Sequence, residues 1–315
     1  MKIIQAPRAS AILYNLLKSQ GNANPWLLPA NICPIVPITF FKAGIPFEFI
    51  DISAETLHMD LEQAGGRLER GAYSGILYTH TYGEPSTPDD FFRQVKSRFP
   101  NLLLLDDRCL CVPDLDPPQE MSADVALYST GYAKIVELNF GGYAFLKEDV
   151  LYQPGQLPFA PQALEEIERG YKQAIQNKSP YVYTDSDWLQ TDADLPAWND
   201  YRRQIEAGLD ASLKHRDTIN GIYARCFPPE IQLSRAYQTW RFNLRLKTKE
   251  QVLEGIFASG AFASSHYASL AGIMAPGRCP QAEILAKEIV NLFNDYHFDP
   301  QKAEQVCAVV MEKLT

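Results

Sequence analysis

Asp124-Val125-Ala126-Leu127-Tyr128-Ser129-Thr130-Gly131-Tyr132-Ala133-Lys134 decides how this chain folds. Its first half is apolar and short, which suits a buried strand. Its second half turns polar, with glycine at position 131, and ends on a lysine. Upstream, Asn101-Leu102-Leu103-Leu104-Leu105-Asp106-Asp107 repeats the pattern, an apolar run closed by carboxylates. A nearly all-apolar strand has both faces buried, so Asn101–Asp107 belongs in the middle of a sheet. Gly142–Leu146 reads as one more strand after the Gly141-Gly142 pair.

Working outward, strand and helix patterns alternate. Trp26–Pro29, Pro46–Ile52 and Ser74–His80 read as strands. Pro34–Ala43, Thr56–Glu69 (weakly, because Gly65-Gly66 interrupts it) and Pro88–Phe99 read as helices. Pro34 and Pro37 lie near a helix start, where a missing amide costs least. Asp89 and Asp90 occupy a first turn, where the helix dipole favours them. This order predicts an α/β fold with a mostly parallel central sheet and helices on both faces. Beyond it, Pro161–Asn177 and Trp198–Cys226 read as helices, with an aperiodic aromatic stretch between them. Ala236–Leu246 holds a strand, and Lys249–Ser259, Gln281–Asn294 and Pro300–Leu314 read as helices. These later elements predict a smaller α+β C-terminal domain.

The bulk numbers narrow the class. The chain has 315 residues, 46% hydrophobic and 21% charged, with a net charge of -9. An acidic chain argues against non-specific nucleic-acid binding, which needs a basic face. It leaves room for a phosphorylated small molecule held at a local positive site. No apolar stretch reaches the roughly 20 residues a membrane span requires, and the N-terminus has no long apolar core of a secretory signal. The six cysteines form no Cys-x-x-Cys pair. They read as buried reduced thiols, and the expected location is the cytoplasm.

One strand that delivers a carboxylate and another that delivers a lysine suit pyridoxal 5'-phosphate (PLP). That cofactor needs an amine for its Schiff base and an acid for its ring nitrogen. Alone, such a lysine also reads as a solvated surface residue. The Asp106-Asp107 pair also reads as a helix cap or metal ligand. Ser10 also reads as the N-cap of the helix that follows it.

The chain resembles the DegT/DnrJ/EryC1/StrS sugar aminotransferases, PLP enzymes of the aspartate aminotransferase fold (fold type I). The likeness is a series of local motifs in order. Pro29–Ser53 is similar to the segment from the family's Pro-Ser-Phe-Thr-Phe motif to its Val-Asp-Ile strand end. His80-Thr81-Tyr82-Gly83-Glu84-Pro85 resembles the His-x-Tyr-Gly-x-Pro turn. Leu104-Leu105-Asp106-Asp107 stands at the family's Ile-Glu-Asp. Ser129 precedes Lys134 by the family's spacing, and Gly141-Gly142-Tyr143-Ala144 looks like its Gly-Gly-Ala-Val. His266-Tyr267 is similar to a later His-Tyr.

The resemblance implies that Lys134 holds PLP as a Schiff base and moves the substrate proton. It implies that Asp107 pairs with the pyridinium nitrogen and that Ser129 binds the phosphate. Ala9-Ser10, at the family's Gly-Thr, would bind the phosphate with the helix amides. It also implies a homodimer using glutamate or glutamine as amino donor and a keto-sugar nucleotide as acceptor. Residues 1–195 would form the PLP-binding domain, N-terminally shortened, and residues 196–315 a long connecting helix with the small domain. No metal is expected. His80 is given no chemical role.

The chain departs from the family in four places. The segment before the phosphate-binding turn is short. Cys33 replaces a ring that stacks on the cofactor. Leu110 replaces a glutamine. The Gly-Tyr-Asn-x-Arg segment is missing, with Tyr181–Asp194 in its place. These departures leave two alternatives open: a cofactor-fold protein that binds or assembles without transamination, and a PLP enzyme of dehydratase or lyase type. Arg241 and Arg245, on one face of a strand, read either as solvated strand positions or as candidate partners for a carboxylate or phosphate. Tyr181–Trp188 is a candidate lid or partner-subunit contact.

Overall fold

The computed structural model describes residues 1–21 and 24–314. Strands β1 (Lys2–Ala6), β2 (Trp26–Pro29), β3 (Phe47–Ile50), β4 (Gly75–Thr79), β5 (Leu103–Asp107), β6 (Val125–Ser129) and β7 (Gly142–Leu146) form one sheet, in the order β1-β7-β6-β5-β4-β2-β3. Pairing is parallel from β6 through β3, and β7 runs antiparallel to both β1 and β6. Every residue of β4 and β5 is buried, which is why their sequences do not alternate.

Helices α1 (Ala9–Ser19), α2 (Ile35–Ala43), α3 (Leu61–Leu68) and α4 (Asp89–Arg98) connect these strands. The helix expected over Thr56–Glu69 starts only at Leu61. Asp60 caps it by accepting from the Gln63 N–H at 3.0 Å, and Met59 is drawn into a bridge with Ile52. Strand β1 was not foreseen in the sequence. It pairs along its whole length with β7, from Lys2 opposite Leu146 to Ala6 opposite Gly142.

Helices α5 (Pro161–Asn177) and α6 (Trp198–Cys226) follow. A second, antiparallel sheet has the order β8-β10-β9. It comprises β8 (Phe242–Arg245), β9 (Ala263–Ser264) and β10 (Ile289–Leu292), packed with α7 (Lys249–Ala258), α8 (Pro280–Glu288) and α9 (Pro300–Leu314). The helix expected over Gln281–Asn294 thus ends at Glu288. The next four residues, Ile-Val-Asn-Leu, form the middle strand, where β-branched side chains pack well. Ile219, Tyr223, Phe242, Val252, Val290 and Val306 belong to the core beneath this sheet. Among the described residues no helix is long and apolar enough to cross a membrane.

The end of β7 carries a tight contact. A Cβ on Gly142 would lie 2.4 Å from the Ala9 nitrogen and 2.6 Å from its Cα. Only glycine lets the start of α1 approach the strand this closely. At Gly141, φ is +92°, and a Cβ would meet Tyr201 Oη at 2.2 Å. Gly142→Ala is expected to destabilise the protein by about 1–3 kcal/mol, the usual cost of overpacking against backbone, and to shift α1. Urea denaturation measures this. A variant as stable as the parent would show that α1 yields freely at this contact.

Candidate active site

Several chain segments converge at the ends of β5 and β6, where open α/β sheets place their ligands. A cavity of about 370 Å³ opens there. Asp107, Ser129 and Lys134 line it, and so do Ala9 and Ser10 at the start of α1. All five residues singled out in the sequence therefore share one space. The chain also brings Arg8, Thr39 and Asn139 to its walls.

Asp107 is the last residue of β5 and is buried. The Cys109 N–H donates to its Oδ1 at 3.0 Å, and the His80 N–H donates to its backbone carbonyl at 3.1 Å. Neighbouring strand residues point to opposite faces, so Asp106 faces away from the cavity. There it accepts from His80 Nε2 at 2.7 Å and from Arg108 Nε at 2.8 Å. His80 Nδ1 meets the Glu84 carbonyl at 2.6 Å. His80 thus ties the turn at 81–85 to β5 from behind the sheet and does not line the cavity. Burial raises the Asp106 carboxyl, but the bonds and charges of His80 and Arg108 outweigh it and hold the group below its ordinary range.

Ser129 ends β6, and its Oγ accepts from the Gly131 N–H at 3.3 Å. The loop beyond it presents Lys134, half-buried. Two residues from the later half of the chain fix that loop. Trp240 Nε1 donates to the Ala133 carbonyl at 2.7 Å, and Arg216 Nη2 donates to the Lys134 carbonyl at 3.0 Å. Lys134 forms no salt bridge among the described residues, so its amine is uncommitted.

Ser10 is not the N-cap of α1. Arg8 holds that position, and Ser10 is the second helical residue. Cys33 and Cys109 both line the cavity. Burial pushes the Cys33 thiol up, against the pull of Lys134, and pushes Cys109 up further. Both are neutral and act here as small apolar walls. His266 opens to solvent on one side and is otherwise enclosed by protein. This enclosure, with Arg241 and Lys134 nearby, pulls its pKa down to about 4, so it is neutral at pH 7.

The phosphate-partner reading of Arg241 and Arg245 and the lid reading of Tyr181–Trp188 are corrected. Arg241 is buried, donates from Nη1 to Asp295 Oδ2 at 2.7 Å and lies against the rings of Trp240 and Phe293. Arg245 pairs with Glu288 at 2.6 Å. Arg241 is taken up in the interior and Arg245 by a partly exposed ion pair, and neither lines the cavity. Tyr181–Trp188 has no regular secondary structure, yet it is anchored on its own chain. Tyr183 stacks on Phe41, Lys42 pairs with Asp185 at 2.8 Å, and Trp188 is fully buried. Lid-like freedom does not fit a segment pinned at three points.

The sequence matches no protein-family model, and no curated protein matches it. Solved structures do match it. A DegT/DnrJ/EryC1/StrS aminotransferase from Brucella abortus superposes with a TM-score of 0.69 at 13% identity, over 99% of this chain and 86% of that one. The fold is that of the DegT/DnrJ/EryC1/StrS aminotransferases. The sugar aminotransferase CalS13 from Micromonospora echinospora gives 0.68 at 14% identity, over 98% and 87% of the two chains. Helicobacter pylori PseC, an aminotransferase of pseudoaminic acid biosynthesis, gives 0.69 at 12% identity, over 99% and 86%. The Spr1654 protein of Streptococcus pneumoniae also shares this aminotransferase fold and is known in PLP, PMP and apo forms. At these identities the likeness is one of architecture.

Sequence reading missed Arg8, Thr39 and Asn139 as cavity residues. Asn139 carries a signal in its positive φ of 63°, but conformation is not visible in a sequence. Arg8 had one, since it immediately precedes the Ala9-Ser10 pair.

Proposed function

We propose that this protein is a PLP-dependent aminotransferase whose acceptor is a keto-sugar or a related small molecule, with glutamate or glutamine as donor. One observation carries the reading: a lysine, a buried aspartate and two serines from three separate segments line one cavity of about 370 Å³. That donor set fits the cofactor. The amine faces the same space as the carboxylate, the hydroxyls lie beside the start of a helix, and the volume is within the range of small-molecule sites.

Lys134 Nζ would hold the cofactor covalently and, when released, carry the proton between the two carbons that exchange it. Asp107 would keep the ring nitrogen protonated through its negative charge. Ser10 and Ser129 would orient the phosphate. When bound, PLP supplies the electron sink that stabilises negative charge on the substrate carbon. Cys33, in place of a stacking ring, would forgo one aromatic contact to the cofactor, a loss of about 0.5–1.5 kcal/mol. Residues 1–195 would form the cofactor domain and residues 196–315 the smaller one, with the active protein a homodimer.

The test is a single-turnover conversion of bound PLP to pyridoxamine phosphate across a panel of amino donors, run with wild type and Asp107→Asn. Wild type should convert with at least one donor. The asparagine protein should keep its fold and be slowed by about a hundredfold or more, as expected when a charge acting on the reacting group is lost. PLP-loaded wild type that converts with no donor removes transamination and leaves a binding protein or a different PLP reaction. Equal rates in the two proteins remove Asp107 from the role.

A further inference from the structure

The cavity's charge is unevenly supplied. Its wall holds two cations, Arg8 and Lys134, and one carboxylate, Asp107. A phosphate monoester brings close to two negative charges at neutral pH. Ser10 and Ser129 offer neutral hydroxyls against that load. Lys134, in the function proposed above, is committed to a covalent bond. Tyr181–Trp188 contains no lysine or arginine and is anchored to α2.

That leaves Arg8. It directly precedes α1, between Pro7 and the Ala9-Ser10 pair, and all four residues line the cavity. Its guanidinium forms no salt bridge among the described residues. Glu168 is the acid that acts on it at longer range, and Glu168 is itself bonded to Lys172 at 2.9 Å. Arg8 is the N-cap residue of α1 and supplies no side-chain cap bond, so helix capping does not account for an arginine there.

We infer that Arg8 is the phosphate-positioning residue of this site and supplies from the same chain the cation that neutralises a phosphate held beside Ser10 and Ser129. This rests on the cofactor reading for the identity of the ligand, but the anion preference stands on Arg8 itself. The planar guanidinium presents a fork of donors that matches two phosphate oxygens. The site then prefers a phosphorylated ligand over its unphosphorylated analogue. That preference depends on position 8.

The experiment compares PLP with pyridoxal on wild type, Arg8→Gln and Arg8→Lys. It reads uptake by visible absorbance and by borohydride-fixed label, with circular dichroism to confirm the fold. Wild type should favour PLP over pyridoxal. Arg8→Gln should cut that preference by about tenfold to a hundredfold, the range for one charge-assisted hydrogen-bonding group. Arg8→Lys should restore part of it. Pyridoxal uptake itself should be unchanged, which a merely structural role for Arg8 would not allow. An Arg8→Gln protein with the wild-type preference overturns the inference. Inorganic phosphate, titrated by calorimetry, separates this outcome from failure of the cofactor reading. Wild type that takes up neither aldehyde but binds phosphate, with the binding lost in Arg8→Gln, sinks the cofactor and keeps the anion site. Wild type that binds neither aldehyde nor phosphate sinks both.

Discussion

Lys134→Ala supplied with PLP is expected to carry no borohydride-fixed pyridoxyl group, whereas wild type should carry one on the peptide containing Lys134. The argument starts from the uncommitted amine. Lys134 lines the cavity and forms no salt bridge among the described residues, while its carbonyl and that of Ala133 are held by Arg216 and Trp240. The backbone is therefore fixed while the side chain is left to react. In the proposed function, removing the amine would remove both the covalent anchor and the proton carrier. Amino transfer should fall by about a hundredfold to ten-thousandfold, the range for a lost general acid–base group. Stability should change little, because Lys134 is half-buried and its backbone bonds survive the substitution. Peptide mapping after reduction decides the matter: label on another lysine, or equal uptake by the alanine protein, would give the role to a different residue.

The largest effect on stability is expected at Asp295. Its carboxylate meets Arg241 at 2.7 Å, with side-chain exposures of 3% and 2%. Arg241 is further enclosed by the rings of Trp240 and Phe293, with its guanidinium carbon 5.1 and 3.9 Å from the ring centres. Burial pulls Arg241 below its ordinary range while Asp295 opposes that pull. Asp295→Ala leaves a cation stranded in the interior, which costs about 3–5 kcal/mol when one partner of a buried pair is lost. Arg241→Met combined with Asp295→Leu should recover most of that loss, since apolar replacement of both partners is often neutral. Urea unfolding of the three proteins gives the comparison. If the single variant unfolds at the wild-type midpoint, water or another acid has taken over the pairing.

The sequence made the first half of the fold readable because its strands are short, apolar and bounded by turn residues. Asp107 and Lys134 were legible as neighbours in one cavity for the same reason, since each lies at or beyond a strand's end at one end of the sheet. The choice of Asp107 over Asp106 came with the family resemblance, since alternation says only that the two point to opposite faces, and the structure gives Asp106 to His80 and Arg108. Strand β1 was not legible. Its five residues, Lys-Ile-Ile-Gln-Ala, gain their meaning from pairing with β7, well over a hundred positions away. Strand β10 was hidden behind the helical pattern of Pro280–Glu288, which runs into it without a break. Arg241 and Arg245 were misread because a strand pattern gives the face but not the partner. Asp295 and Glu288 lie some fifty residues further on. Tyr181–Trp188 lacked periodicity and so looked free, but its hold on α2 comes from single aromatic and ionic contacts that carry no period.

The two donors that grip the lysine loop make the site a poor candidate for transplantation. Every residue that lines the cavity falls between Pro7 and Gly141. A fragment ending before α6 would contain the full inventory of the pocket. It would nevertheless lack Arg216 and Trp240, and the carbonyls of Lys134 and Ala133 would lose their donors. The first half of the chain thus encodes the contents of the pocket, and the second half sets the loop that carries Lys134.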